Sequence, residues 1–205
     1  MKKITFILAL ILVCSHILLA QNPNENKKPR IALILSGGGA KGIAHIPVLQ
    51  MLDSLGIVPD LVVGNSMGSI VGGLYAMGYS GDSIAHIAKT ANWDNLIGGN
   101  VSLNNVSVEE KTEFGRYLIG MGAKDGKIKL TPFLLNDQNL RTFLADLTYP
   151  VYTNTNFDKL SIPFRAIATD IVNGKEVVLD KGGLAFAMRA SMSIPGAFIP
   201  VPYEN

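Results

Sequence analysis

The sequence predicts an α/β protein with a mainly parallel sheet, on three observations. Two short apolar runs, residues 31–35 and 61–63, each end in glycine or in Ser-Gly-Gly-Gly. Each is followed by apolar residues at helical spacing. Strand, helix, strand, helix in this order favours parallel strands joined by right-handed crossovers.

Ile31-Ala32-Leu33-Ile34-Leu35 is wholly apolar, which predicts a strand buried on both faces. From Gly42 onward, Ile43, Ile46, Leu49, Leu52 and Leu55 recur at three-residue steps, and Gly56 stops the helix they define. Leu61-Val62-Val63 is the second strand, and Ile70, Val71, Leu74 and Met77 mark the helix behind it. Ser80 is placed to cap a further helix to about Lys89. Residues 93–129 are rich in Gly and Asn with weak periodicity, and predict loops or short helices over the sheet edge, a site lid being one use. Residues 137–147 read as helix. Residues 164–169 and 175–179 read as strands, with Asn173-Gly174 as a hairpin signal because both residues accept positive φ. A last helix over residues 184–190 ends before Pro195.

Residues 1–20 stand apart from this pattern. Lys2 and Lys3 precede an apolar run over residues 4–19, and Ala20 before Gln21 suits cleavage, so the segment reads as a signal peptide with residues 21–30 as a polar linker. The expected location is the periplasm, the outer membrane or the medium. A retained anchor is the alternative, although the run is short for a span of about twenty apolar residues. Cys14 is the one cysteine and lies in this leader, so the remaining chain can form neither a disulfide nor a thiolate metal site. Val13 stands where a small residue precedes a lipid-modified cysteine, which weighs against a lipoprotein. The stretch from residue 31 to 205, about 175 residues, suffices for one domain. A formal net charge of +2 without a Lys/Arg block gives nucleic-acid binding no electrostatic support, and no cofactor or metal is expected.

Gly64-Asn65-Ser66-Met67-Gly68 follows a strand and opens a helix, the context in which G-x-S-x-G has mechanical meaning. The chain must turn sharply there with the serine strained, and glycines allow the crowding. Ser66 is then the candidate nucleophile, and the Met67 N–H at the helix start is a candidate oxyanion donor. A glycine-rich turn with a capping serine is the bland reading. Gly37-Gly38-Gly39-Ala40-Lys41-Gly42 admits three readings. A dinucleotide fingerprint needs an acidic residue at the end of the second strand, and Asp60 lies at its start. A phosphate loop needs Ser or Thr after Gly-Lys, and Lys41 is followed by Gly42. An oxyanion hole built on Gly37, Gly38 and Gly39 uses both glycine motifs together.

Beyond the leader the histidines are His45 and His86, and none follows His86. A Ser, Asp, His triad with a late histidine is therefore not expected. His45 falls in the first turn after the glycine loop, where packing is the stronger reading, and His86 reads as structural.

The glycine loop, the Gly-Asn-Ser-Met-Gly segment and Arg189-Ala190-Ser191-Met192-Ser193-Ile194-Pro195-Gly196, in that order, resemble the patatin-like phospholipase family. The resemblance extends from about residue 31 to the last residue. It implies a three-layer α/β/α sandwich and cleavage of lipid acyl esters by a Ser-Asp dyad, with the glycine loop as oxyanion hole and Lys41 at the family's basic position. Gly42, Gly64 and Gly68 support the two motifs. A lipid or other acyl ester is the implied substrate, and a membrane surface a further implied partner. The dyad aspartate belongs, by resemblance, to an Asp-Gly-Gly or Asp-Gly-Ala motif soon after Pro195-Gly196. That motif falls due where this sequence stops, so the domain is expected to be incomplete and these 205 residues almost inactive. Asp180, in Asp180-Lys181-Gly182-Gly183, reads as part of the turn into the last helix. Asp170 is the next candidate base, with pairing or capping as its stronger reading. The rival from another class is a lipid-binding domain that keeps the fold without turnover.

Overall fold

A computed structural model describes residues 29–97, 122–124, 127–129, 137–195 and 198–203. The leader, all but the end of the linker, most of the middle stretch and Gly196 lie outside the described residues. Ile31–Asn205 forms one unit, divided from Met1–Arg30.

The chain enters through β1 (Ala32–Leu35) and a 3-10 helix (Gly39–His45) that leads into α1 (Ile46–Leu55). A continuous α-helix from Gly42 was expected. Pro47 has no N–H to bond back toward Ile43, and a proline fits an α-helix without loss only in its first turn, so α1 begins at Ile46. Gly56 ends α1 in the left-handed conformation, φ 64. Next come β2 (Leu61–Asn65), α2 (Met67–Met77) and α3 (Gly81–Thr90). The Ser80 hydroxyl caps α3 by accepting from Ser83 N–H at 3.2 Å. A short α4 (Trp93–Ile97) and an antiparallel pair, β3 (Gly122–Lys124) with β4 (Lys127–Lys129), fall in the middle stretch. The chain closes with α5 (Gln138–Thr148), β5 (Phe164–Asp170), β6 (Lys175–Leu179) and α6 (Leu184–Ser191).

The main sheet has the order β1-β2-β5-β6, the first three strands parallel and β6 antiparallel to β5. Its mixed, mostly parallel strands with flanking helices make the fold α/β, of the α/β/α class. The β5–β6 hairpin forms where Asn173-Gly174 signalled it, with one difference. The loop has four residues and only Gly174 takes positive φ, at 66. The Asp170 carboxylate makes the longer turn by accepting from the amides of Val172 at 2.8 Å and Asn173 at 3.3 Å and from Asn173 Nδ2 at 2.7 Å.

Both parallel crossovers step the same way, from β1 to β2 to β5, and right-handed crossovers stepping one way put their helices on one face. On that face Leu35, Val62, Phe164, Ala166 and Leu179 join Val71 and Leu74 of α2 and Met188 of α6 in the core. Each of these side chains larger than alanine contributes about 1.5–3 kcal/mol of burial. Residues 67–76 of α2 are buried throughout, because the sheet packs on one side of α2 and the 3-10 helix, α3 and α5 pack on the others. The opposite face corrects the expectation for β1: Ile34 is 73% exposed and Val178 of β6 47%. An all-apolar strand there is covered on one face among the described residues.

Two polar clusters tie helices together. Asp53 of α1 accepts from Tyr75 Oη of α2 at 2.8 Å and from the Gly81 amide of α3 at 2.6 Å. Burial, the hydrogen bond to Asp53 and its charge push the Tyr75 pKa up to about 12. Arg189 of α6 is 2% exposed, pairs with Asp137 at the start of α5 at 2.5 Å, donates to Ile199 O at 3.1 Å and lies over the Phe198 ring. Burial raises the Asp137 pKa, but hydrogen bonds from Arg141 and Arg189 outweigh it and hold the carboxyl below its usual range. Burial likewise lowers the pKa of Arg189, against the support of Asp137.

Candidate active site

Parallel β-strands deliver loops to their carboxyl ends, and β1 and β2 run side by side with Leu35 level with Gly64. The two glycine motifs therefore emerge at the same end of the sheet. Ser66 lies between the last residue of β2 and the first of α2, half-buried, with φ 51 and ψ −122. It is the one non-glycine residue of positive φ among the described residues. The strain that the G-x-S-x-G segment predicted is present at the predicted residue.

The surroundings over-determine this turn. The Ser66 carbonyl accepts from the amides of Ser69 at 2.9 Å and Ile70 at 3.3 Å and from the Ser69 hydroxyl at 2.7 Å. Ser69 is completely buried, a contribution the sequence did not signal. The Ser66 amide donates to Ser191 Oγ at 2.8 Å, and the Ser191 hydroxyl donates to Ile167 O of β5 at 2.5 Å. Gly64 and Gly68 are required by space. A Cβ on Gly64 would collide with the Gly68 carbonyl, and one on Gly68 with the carbonyls of Leu35 and Ser36. Both collisions are with backbone, which cannot give way.

The glycine loop lies against this elbow. A Cβ on Gly37 would stand 2.9 Å from Asn65 Oδ1 and 3.1 Å from Ser66 Cβ, and one on Gly42 would stand 2.6 Å from the Met67 side chain. Gly38 and Gly39 have φ 150 and 55, conformations that turn successive amides in a way other residues resist. Met67 is the first residue of α2, so its amide lies at the positive end of the helix dipole and too early in the helix for an i−4 carbonyl partner. The structure so brings together Ser66, Gly37, Gly42, Gly64, Met67 and Gly68, with Gly38 and Gly39 in the same loop. Lys41 is exposed, and its amide closes the loop on Gly38 O at 3.1 Å.

His45 Nε2–H donates to Ser36 O at 2.9 Å, so its ring braces the base of the glycine loop. His86 is exposed on α3. The carboxylates weighed as bases are otherwise occupied. Asp170 is at the correct end of the sheet, but its carboxylate shapes the hairpin turn, and the Asn173 side-chain bond is the largest cause holding its pKa down. Asp180 follows β6, and by register it lies level with Arg165 and Val63, short of Ser66 and toward the opposite end. Asp60 accepts from the Ile31 amide at 2.7 Å, at the amino end of β2. Among the described residues Ser66 Oγ has no hydrogen-bond partner. Beyond Ile167, a groove of about 470 Å³ runs between the end of β5 and residues 198–203, with Val177, Leu179, Phe198 and Val201 among its apolar walls.

Comparison with known proteins places this geometry. Residues 33–205 match the model of a family described as patatin-like phospholipase. An uncharacterized NTE-family protein of Mycobacterium tuberculosis is 34% identical over 175 residues, covering 85% of this chain and 40% of that protein. Lysophospholipase NTE1 of Cryptococcus neoformans is 30% identical over 172 residues, covering 84% of this chain and 9% of that protein. The chain thus spans two fifths or less of these two relatives' length. In structure it is similar to VipD from Legionella pneumophila, with a TM-score of 0.50 and 15% identity over 84% of this chain and 44% of VipD, a likeness of fold. A match over most of the chain, with both glycine motifs folded against one strained serine, makes this protein a member of the patatin-like phospholipase family.

Proposed function

We propose that the chain carries the nucleophile of an exported lipid acyl hydrolase, with Ser66 as nucleophile and an aspartate as its base. The observation that carries this reading is the strained Ser66 turn with the Gly37–Gly39 loop folded against it. Ser66 Oγ attacks the ester carbonyl carbon and passes its proton to the aspartate, while amides of Gly37, Gly38, Gly39 and Met67 stabilise the tetrahedral oxyanion. Collapse expels the alcohol, which takes up that proton, and leaves an acyl-enzyme. Water then adds to the acyl carbon as the aspartate takes its proton, and collapse of the second tetrahedral intermediate breaks the bond to Oγ, which takes up that proton, releasing a fatty acid and restoring Ser66. The apolar groove beyond β5 suits an acyl chain better than a charged headgroup.

Asp170 and Asp180 are both unsuited as the base, for the reasons of geometry given above. With neither of them serving Ser66 among the described residues, slow ester turnover is the expected outcome, since loss of one member of such a unit costs on the order of 10⁴-fold. That Ser66 Oγ has no hydrogen-bond partner among the described residues fits the rival, a lipid-binding domain without turnover, equally well. Hydrolysis of a p-nitrophenyl ester separates the two. The proposal expects slow release that Ser66→Ala reduces to the uncatalysed rate. Equal rates for both proteins would support the rival, and rapid Ser66-dependent release would mean that a further residue serves as base.

A further inference from the structure

We infer that Ser191 is a positioning residue for the nucleophile, acting through the backbone amide of Ser66; the catalytic part of this inference rests on the hydrolase reading. The Ser191 hydroxyl stands between a group that can only donate and one that can only accept. The Ser66 amide donates to its oxygen at 2.8 Å, and its own proton goes to Ile167 O at 2.5 Å. With one proton to give, the hydroxyl is locked in orientation by both neighbours. It joins the turn before α2, the last residue of α6 and the middle of β5.

The Ser66 carbonyl has three donors from its own helix, whereas the amide has Ser191 alone among the described residues. The φ 51 conformation depends on holding both ends of the residue. Without Ser191 the amide would be a part-buried donor lacking a partner, and rotation of the turn back toward ordinary φ would relieve both the strain and the missing bond. That rotation carries Oγ away from the glycine amides and the Met67 N–H. Positioning errors of about 1 Å cost on the order of 100-fold in rate. Ser161, in the connection before β5, supplies an internal control, because its hydroxyl donates to Met77 O at the far end of α2.

The test is amide hydrogen exchange by NMR on the 205-residue chain, with p-nitrophenyl ester kinetics on the same samples. Ser191→Ala should speed exchange at Ser66 by about 10-fold or more while Val62 and Val63 of β2 stay within about two-fold. It should lower kcat by about 10- to 100-fold with KM little changed. Ser191→Thr keeps the hydroxyl and should restore both readings, and Ser161→Ala should move neither. Should Ser191→Ala not fold, Ser191→Cys keeps the size, loses most of the hydrogen bonding and is read in the same way. Unchanged exchange at Ser66 in the Ala or Cys variant overturns the clamp, and so does a Thr variant that behaves like Ala. Faster exchange with unchanged kcat overturns the catalytic part. If the unmodified chain shows no Ser66-dependent turnover, the hydrolase reading fails, and exchange at Ser66 still decides the clamp.

Discussion

Ser66 occupies a backbone conformation that costs an L-residue on the order of 1–3 kcal/mol, and three hydrogen bonds to its carbonyl with one from its amide hold it there. Strain of this kind makes a prediction about stability that does not depend on chemistry. Glycine accepts φ 51 freely and alanine does not, so Ser66→Gly should be more stable than Ser66→Ala by about 1 kcal/mol, contrary to the usual ranking of the two residues. Urea denaturation measures the difference, and an alanine variant as stable as the glycine one would mean that the turn relaxes once the hydroxyl is gone. The serine at this position was legible in the sequence because its neighbours are glycines: Gly64 and Gly68 are read directly from the motif and are the residues whose added Cβ would strike backbone. The role of Ser191 was not legible. It was visible as one letter of Arg-Ala-Ser-Met-Ser, but its partner is 125 residues away and no periodicity encodes a bond between a hydroxyl and a distant amide.

The elements followed from apolar spacing where local chemistry decides them and departed from it where a neighbour does. Leu49 and Ile46 marked α1, and Ser80 and Gly56 marked helix ends, because a buried stripe and a cap are local properties. The wholly apolar β1 promised burial on both faces, yet Ile34 is largely exposed, since the composition of one strand does not say what covers it. The joint between α5 and α6 rests on a pair that spacing also could not reveal, Asp137 with Arg189 across 52 residues. Asp137→Ala would leave the buried Arg189 without its counter-charge and should cost about 3–5 kcal/mol. The sign of the acid effect follows from the lowered pKa of Asp137. Its contribution is complete above the unfolded carboxylate value, about 3.9, and is lost as pH falls through the lower native value. Melting temperature recorded against pH should show this acid limb in the unmodified chain and a flatter one in Asp137→Asn. Identical profiles would mean that the pair makes no net contribution.

At the scale of the whole molecule, parallel strands collect both glycine motifs and the end of α6 at the carboxyl end of one sheet, and β6 returns the chain along its edge. This gathering is why two motifs separated by a helix can serve one reaction, and it was predictable from the alternation of strand and helix. Which carboxylate serves the serine was not predictable from that alternation, because a base is defined by its distance to Oγ and not by its place in a repeating pattern. The most direct measurement is therefore on the nucleophile itself: treat the chain with a fluorophosphonate and map the modified residue by mass spectrometry. An oxyanion hole retains about 10³- to 10⁴-fold catalysis over water in such sites even without the full unit, so slow but selective modification of Ser66, abolished in Ser66→Ala, is expected. Modification spread over other serines such as Ser36 and Ser54, or labelling that persists in Ser66→Ala, would contradict the assignment of Ser66 as an activated nucleophile.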